Sequence, residues 1–490
     1  MKNLLEKVPT EVVHVAKTLK DAGFEAYLIG GCVRDLLLNR KPKDWDITTN
    51  ATPETIVSLF SNTFYENTYG TVGVVTEGED VEEAVKVIEI TPYRLEAGYS
   101  DKRRPDQVIF SNNLEDDLKR RDFTINAIAL EAFEGHIVDL YKGQDDIKDR
   151  ILRTVGNPTE RFQEDALRIL RAIRLSCELD FVIESETEKA LLTNAHLLKD
   201  ISQERIRDEF SRILMSHAPA RGLELARRYG VLTFISPDLE AAYGVEQGGI
   251  HQYDVFEHSV RAAQHAADKG WPLDVRLAAL FHDIGKPASK REGDKKPTFY
   301  GHEVIGAKMV KKILNELKFP VKLVEKVQKL VRWHMFFSDT EQVTPSAARR
   351  LISAVGKENI WDLMNVRAAD RIGTGRPKED PYRLRKYHAM LEEVMSDPIS
   401  VGMLNIDGAR VMEVTDTKPG KHVGNILHAL LEEVIEDPTK NTKDYLEKRA
   451  TELAKLSDKE LQALGEQGKV IKQEEEDKKV GEIRKKHSVE

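Results

Sequence analysis

The sequence is poor in several things, and each shortage excludes a class. Only two cysteines, Cys32 and Cys177, occur in 490 residues. Two thiols cannot build a disulfide framework and are not spaced as metal ligands, so a reducing, cytoplasmic setting is expected. No apolar run reaches the about 18 residues that a membrane span needs. The opening Met1-Lys2-Asn3-Leu4-Leu5-Glu6 lacks the apolar core of a signal peptide, so no membrane partner is expected. An excess of positive charge is also missing: the formal net charge is −9. That argues against coating nucleic acid by bulk charge, while leaving room for a local basic strip. There are no evident internal repeats. What remains is a chain 40% hydrophobic and 32% charged, the composition of a globular protein long enough for several domains.

The most informative stretch is Tyr27-Leu28-Ile29-Gly30-Gly31-Cys32-Val33-Arg34-Asp35, continuing to Asp44-Trp45-Asp46-Ile47. A short apolar strand runs into two glycines and a helical pattern. In an extended segment residues i and i+2 share a face, so Asp44 and Asp46 stand side by side while Trp45 and Ile47 face away. Like charges that close call for a cation, and hard divalent ions favour carboxylate oxygens. A glycine turn before a helix offers bare N–H groups to phosphate. Together they describe nucleotidyl transfer. Around this stretch the pattern predicts helices over residues 11–22 and after Thr52-Pro53, and strands over 70–76 and 84–91. Glu89 interrupts the last strand. Two readings stand: a third acid beside Asp44 and Asp46, or an edge-strand residue facing water.

Residues 91–106 are polar and aperiodic, and read as a surface loop. Arg120-Arg121-Asp122-Phe123-Thr124-Ile125-Asn126-Ala127 pairs two cations with an Asp before an apolar run; forked Arg donors suit phosphate oxygens. Glu164-Asp165-Ala166-Leu167-Arg168-Ile169-Leu170-Arg171-Ala172-Ile173-Arg174 reads as one helix, with Glu164, Asp165, Arg168 and Arg171 on one arc. It is either a surface helix laced by i+3 and i+4 pairs or a reader of nucleobases. A carboxylate accepts from the exocyclic amino group of cytosine or adenine, and a guanidinium donates beside it; U and G present a carbonyl instead. Gln203 to Arg212 mixes charges on a helix. His258, His282-Asp283 and Asp370 form a second constellation, the imidazole and carboxylate mixture of metal-dependent hydrolases. Lys418-Pro419-Gly420-Lys421-His422 precedes a helix, and with Arg168, Arg171 and Arg174 could supply the local basic strip.

These motifs, in this order, resemble the polymerase-β-like nucleotidyltransferases, and more closely the bacterial class II tRNA nucleotidyltransferases, or CCA-adding enzymes. The resemblance covers nearly all of residues 10–450 and implies an α+β fold. A nucleotidyltransferase head (1–150) would be followed by a helical neck and body (151–245), an HD domain (246–376), a helical tRNA-binding tail (377–460) and a charged, disordered end (461–490). It further implies Mg²⁺ on Asp44 and Asp46, beside which Glu89 stands as a candidate third catalytic acid. Gly31, Arg34 and Arg121 would cradle triphosphate, and Asp122 and Asn126 would lie near ribose and metal. Asp165 and Arg168 would meet the base edge, supported by Arg171 and Arg174. His258, His282, Asp283 and Asp370 would hold a second divalent metal, associated in the family with phosphohydrolase activities. The 91–106 loop would be the element that shifts the site from C to A addition, and it looks complete. The implied function is template-independent addition of C, C and A from CTP and ATP to tRNA. Alternatives are an A-adding enzyme or bacterial poly(A) polymerase, and, in another class, an HD phosphohydrolase with an RNA-binding head.

Overall fold

The computed structural model describes residues 2–65, 70–76, 82–97, 107–248, 252–291, 297–336 and 343–465. The chain divides into two compact units, residues 1–325 and 326–490. No helix among the described residues is long and apolar enough to cross a membrane.

In the first unit a short helix, Lys2–Leu5, precedes the helix Thr10–Asp21, which buries Val12, Val15, Ala16 and Leu19 along one stripe. Up to residue 138 the described strands are β1 (Tyr27–Ile29), β2 (Trp45–Thr49), β3 (Thr63–Tyr65), β4 (Val72–Val75), β5 (Val87–Pro92), β6 (Arg94–Ala97), β7 (Gln107–Phe110), β8 (Ala129–Glu131) and β9 (Ile137–Val138). Seven of them form one sheet in the order β3-β4-β5-β2-β1-β8-β9. The β2–β5 pair is parallel, with Asp46 opposite Glu89; β4–β5 is antiparallel, with Gly73 opposite Glu89. Alternation sends Trp45, Ile47, Ile88, Ile90, Val72 and Val74 into the core, and leaves Asp46, Glu89 and Gly73 on the other face. Glu89 is therefore not an edge residue: β5 lies between β4 and β2. Thr52 caps the helix Pro53–Leu59 by accepting from the Thr55 N–H, with Pro53 in its first turn, as its sequence indicates.

Two expectations need correction. The polar 91–106 stretch is not all loop: its residues Arg94–Ala97 are β6, which pairs with β7 as an antiparallel hairpin, Arg94 opposite Phe110. The residues between them, 98–106, lie outside the described residues, as does the charged end from 466 onward. The expected neck helix is also not continuous. It is two helices, Pro158–Glu164 and Leu167–Leu179, broken at Asp165, whose backbone is extended at φ −141° and ψ 103°. The Asp165 carboxylate accepts from the Leu167 N–H, a local bond that competes with the helical ladder. Helices Gln203–Met215, Pro219–Arg228, Val255–Asp268 and Leu273–Phe281 complete the described body of this unit, and His302–Glu316 follows.

The second unit is helical. Helices Gly408–Thr415, Lys421–Glu436 and Lys443–Leu453 close around Val411, Ile426, Leu430, Val434, Leu446 and Leu453. Lys421 and His422 lie inside the first turn of their helix rather than before it.

Candidate active site

Gly30 joins β1 to the helix Gly31–Leu37 at φ +80° and ψ −134°, a conformation that costs an L side chain about 1–3 kcal/mol. An added Cβ there would come 3.0 Å from Arg121 Nη1 and 3.5 Å from Asp46 Oδ2. At Gly31 it would come 3.6 Å from Arg34 Nη2 and 3.9 Å from Asp44 Oδ1. The two glycines thus give a bare backbone edge with a guanidinium and a carboxylate beside each. Asp46 heads the open sheet face with Asp44 just before it in sequence and Glu89 opposite on the neighbouring strand. Burial pushes the Asp46 carboxyl up, and the charges on Asp44 and Glu89 add to that against Arg121, to about 7. A carboxylate cluster that resists its own ionisation is one that a divalent cation would relieve, and its all-oxygen donors suit a hard ion. Cys32, beneath, is buried; burial and then Asp46 push its thiol up to about 12, leaving it inert.

From this cluster a chain of charge-assisted bonds runs outward. Arg34 Nη1 donates to Asn126 Oδ1 at 2.8 Å, and Asn126 Nδ2 donates to Asp122 Oδ1 at 3.1 Å. Asp122 Oδ2 accepts from Arg171 Nε and Nη2 at 2.9 and 2.6 Å. Burial would raise the Asp122 carboxyl, but Arg171 beside it, with Arg168 and Asn126, holds it well below the usual carboxylate range. Arg174 Nε donates to Glu209 at 2.7 Å and its Nη1 to Glu178 at 2.8 Å. Arg121 is steadied by the fully buried Asp117, at 3.1 Å from Nη2.

The residues expected to read the base are placed differently from expectation. Asp165 and Arg168 flank the break between the two helices and have separate partners. Asp165 accepts from Arg205 Nη1 and Nη2 at 3.1 and 2.7 Å. Arg168 Nη1 donates to Glu164 at 2.7 Å and to the Arg161 carbonyl at 3.1 Å, and its Nη2 to the Arg120 carbonyl at 3.0 Å. Arg168 and Arg174 are buried and paired with acids, so Arg168, Arg171 and Arg174 do not form an exposed basic strip. Arg205, Glu209 and Asp117 escaped the sequence reading. The charge alternation of Gln203 to Arg212 was the available signal, since Arg205 and Glu209 are one turn apart on a single face.

The second constellation is also partly assembled in the first unit. His282 Nδ1 lies 2.8 Å from the Ala279 carbonyl and His302 Nδ1 2.8 Å from the Phe299 carbonyl. A carbonyl only accepts, so both Nδ1 atoms donate and both Nε2 atoms carry the lone pair in the neutral ring. His258 Nε2 stands 2.9 Å from His282 Nε2, and each is 3.1 Å from Asp283 Oδ2. His302 Nε2 is 3.2 Å from Asp283 Oδ1. Acceptors converging on acceptors, all buried, fit a metal ion. Lys286 Nζ, 2.6 Å from Asp283 Oδ2 and 2.5 Å from Gln247 Oε1, is a further buried cation here. Burial would raise the Asp283 carboxyl; His282 and Lys286 hold it well below its ordinary value. His302 and Lys286 were not among the expected ligands. Asp370 belongs to the second unit, on the helix Ile360–Gly373, where it accepts from Arg367 at 2.7 Å.

Comparison with known proteins agrees with this geometry. Residues 26–153 match the poly A polymerase head domain, 180–243 the probable RNA and SrmB-binding site of polymerase A, and 255–374 the HD domain. The CCA-adding enzyme of Lactobacillus helveticus is 50% identical over 210 residues, 42% of this chain and 51% of that protein. That of Lactococcus lactis is 46% identical over 240 residues, 48% of this chain and 59% of that protein. The chain thus spans about half the length of the curated relatives it matches. The crystal structure of the Bacillus stearothermophilus CCA-adding enzyme in complex with CTP superposes with a TM-score of 0.66 at 30% identity, covering 90% of this chain and 96% of that one. The Thermotoga maritima CCA-adding enzyme complexed with tRNA shares the fold, with a TM-score of 0.56 at 20% identity over 92% of this chain and 98% of that one. With a polymerase-type head, a neck tied to it by Asp122 and Arg171, and an HD segment behind, this chain belongs to the family of CCA-adding enzymes.

Proposed function

We propose that the chain adds C, C and A in turn to the 3′ end of tRNA, taking CTP and ATP as donors and releasing diphosphate without a template. The observation that carries this is the convergence of Asp44, Asp46 and Glu89 beneath the Gly30–Gly31 edge, wired through Asn126 and Asp122 to the arginine-bearing helix Leu167–Leu179. Asp44 and Asp46 would hold the divalent cation, Mg²⁺ in this reading. When bound, that ion supplies Lewis-acid stabilisation to the attacking and leaving oxygens. Arg34 and Arg121 face the phosphates beside the glycine edge, and Asn126 and Asp122 set their orientation. Asp165 and Arg168 meet the base. Arg205 occupies only part of the Asp165 acceptor capacity, and Arg168 retains N–H donors beyond those used by Glu164 and the two carbonyls. Each base contact discriminates C and A from U and G by about 1–3 kcal/mol. We place the reaction in the cytoplasm, a setting that two free, buried thiols suit.

The test is product length and identity on tRNA lacking its three terminal nucleotides. CTP alone should add two residues, and CTP with ATP three, with no addition by Asp46→Ala. Long A tails would instead favour a poly(A) polymerase, and addition only to tRNA already ending in CC an A-adding enzyme.

The convergence of His258, His282, His302 and Asp283 favours a second activity, metal-dependent phosphoester hydrolysis. A metal bound there would supply an activated water. His282→Ala should abolish opening of a 2′,3′-cyclic phosphate to its phosphomonoester while nucleotide addition continues.

A further inference from the structure

The open face of the sheet carries a feature that the transfer reading leaves unused. Phe64 lies on the edge strand β3 and pairs in register with Gly73 on β4, which in turn stands opposite Glu89. Register partners share a face, so Phe64, Gly73, Glu89 and Asp46 form one row across four strands. The Phe64 ring does not point away from this row but lies over Gly73: a Cβ added at Gly73 would come 2.5 Å from one ring carbon and 2.8 Å from the next. The ring is nevertheless 41% exposed, and Val87, two residues before Glu89 on the same face of β5, is 36% exposed beside the row. An aromatic ring laid across a glycine, uncovered on its outer side, is a stacking surface.

We propose that Phe64 stacks the terminal base of the RNA acceptor and so positions the 3′-hydroxyl at Asp46. The inference rests on the transferase reading above. Strands lie about 4.8 Å apart, so a ring over Gly73 stands about 10 Å from the Asp46 column, two strands away. One nucleoside bridges that gap, with its base on the ring and its ribose over Glu89. A nucleobase could arrive on the incoming nucleotide instead, but the layout assigns that elsewhere. Gly30, Gly31, Arg34 and Arg121 lie on the β1 side of β2, whereas Phe64 lies on the β5 side. The two reactants therefore approach Asp46 from opposite flanks of one strand. Stacking needs no base identity, because every base offers a π-face. That suits an acceptor whose terminal residue changes at each addition.

The probe is an acceptor-stem RNA minihelix ending in 2-aminopurine, titrated with the full chain. Its fluorescence should be quenched by the wild-type chain and by Phe64→Tyr, and should remain unquenched with Phe64→Leu. In nucleotide addition Phe64→Leu should raise the KM for RNA about ten-fold, the lower part of the range for losing one base–aromatic stack, and leave the KM for CTP unchanged. Gly73→Ala keeps the ring but fills the space beneath it, and should reproduce the loss. Equal quenching by wild type and Phe64→Leu, or a rise in the KM for CTP rather than for RNA, overturns the proposal. Either result leaves nucleotide addition by the wild type in place, so it is distinguishable from failure of the transferase reading.

Discussion

Replacing Asp122 by Asn removes a charge that two parts of the first unit share. Asp122 is 8% exposed and accepts two bonds from Arg171, one from Asn126 and one from the Phe123 N–H at 2.8 Å. Breaking a fully buried pair from one side costs about 3–5 kcal/mol. Arg171 keeps 34% of its side chain exposed and has Glu209 4.0 Å away, so water and a second acid soften the loss. The expected destabilisation is about 2 kcal/mol at pH 7. A cycle with Arg171→Met should return a coupling energy of similar size, since the two side chains touch. The sign of the pH dependence follows from the depressed carboxyl. Its contribution is complete above the unfolded value near pH 4 and is lost as pH falls toward the lower folded value. Urea midpoints of wild type and Asp122→Asn should therefore differ equally at pH 7 and pH 5, and draw together at pH 3.5. A gap that stays constant from pH 7 to 3.5, or a variant as stable as wild type, would refute the claim that this pair holds the head to the neck.

Four further outcomes are expected. Gly30→Ala, with its Cβ 3.0 Å from Arg121 and φ +80°, should cost about 1–3 kcal/mol of stability and a larger fraction of nucleotide addition, read by calorimetry and primer extension. Asp46, raised to about 7, binds its proton more tightly folded than unfolded, so metal-free stability should fall as pH rises from about 4 to about 7; Asp46→Asn should remove that fall and raise the metal-free Tm. His282→Ala should lower the metal content of the purified protein, measured by elemental analysis, without changing CTP incorporation. Gly285→Ala would set a Cβ 2.1 Å from the His302 carbonyl oxygen and 2.6 Å from the Gly306 nitrogen, so it should displace the helix His302–Glu316 and lower metal content too.

The glycine turn, Asp44 and Asp46 are legible in the sequence because strand alternation and glycine chemistry are local. The Thr52-Pro53 helix start is legible for the same reason. The place of Glu89 is not, because it depends on strand order: the same residue on an edge strand would face water. The break at Asp165 is hidden because its neighbours tolerate a helix, and only the carboxylate bond to the Leu167 N–H favours the extended backbone. Arg205 and Glu209 are hidden for another reason. Their partners Asp165 and Arg174 lie 40 and 35 residues away, beyond any periodicity. The His258–His282–Asp283 set is legible as residue types, whereas His302 needs the fold to bring it to Asp283.

The helix Leu167–Leu179 is moored twice: Arg171 to Asp122 on the side of the sheet, Arg174 to Glu209 on the side of the helical body. A rod fastened at two successive turns has no independent roll or slide. Whatever lies against this helix then meets the same immobile wall. The extended residue Asp165, which joins this helix to Pro158–Glu164, is itself held by Arg205 and by the Leu167 N–H, so the fixed wall continues across the break.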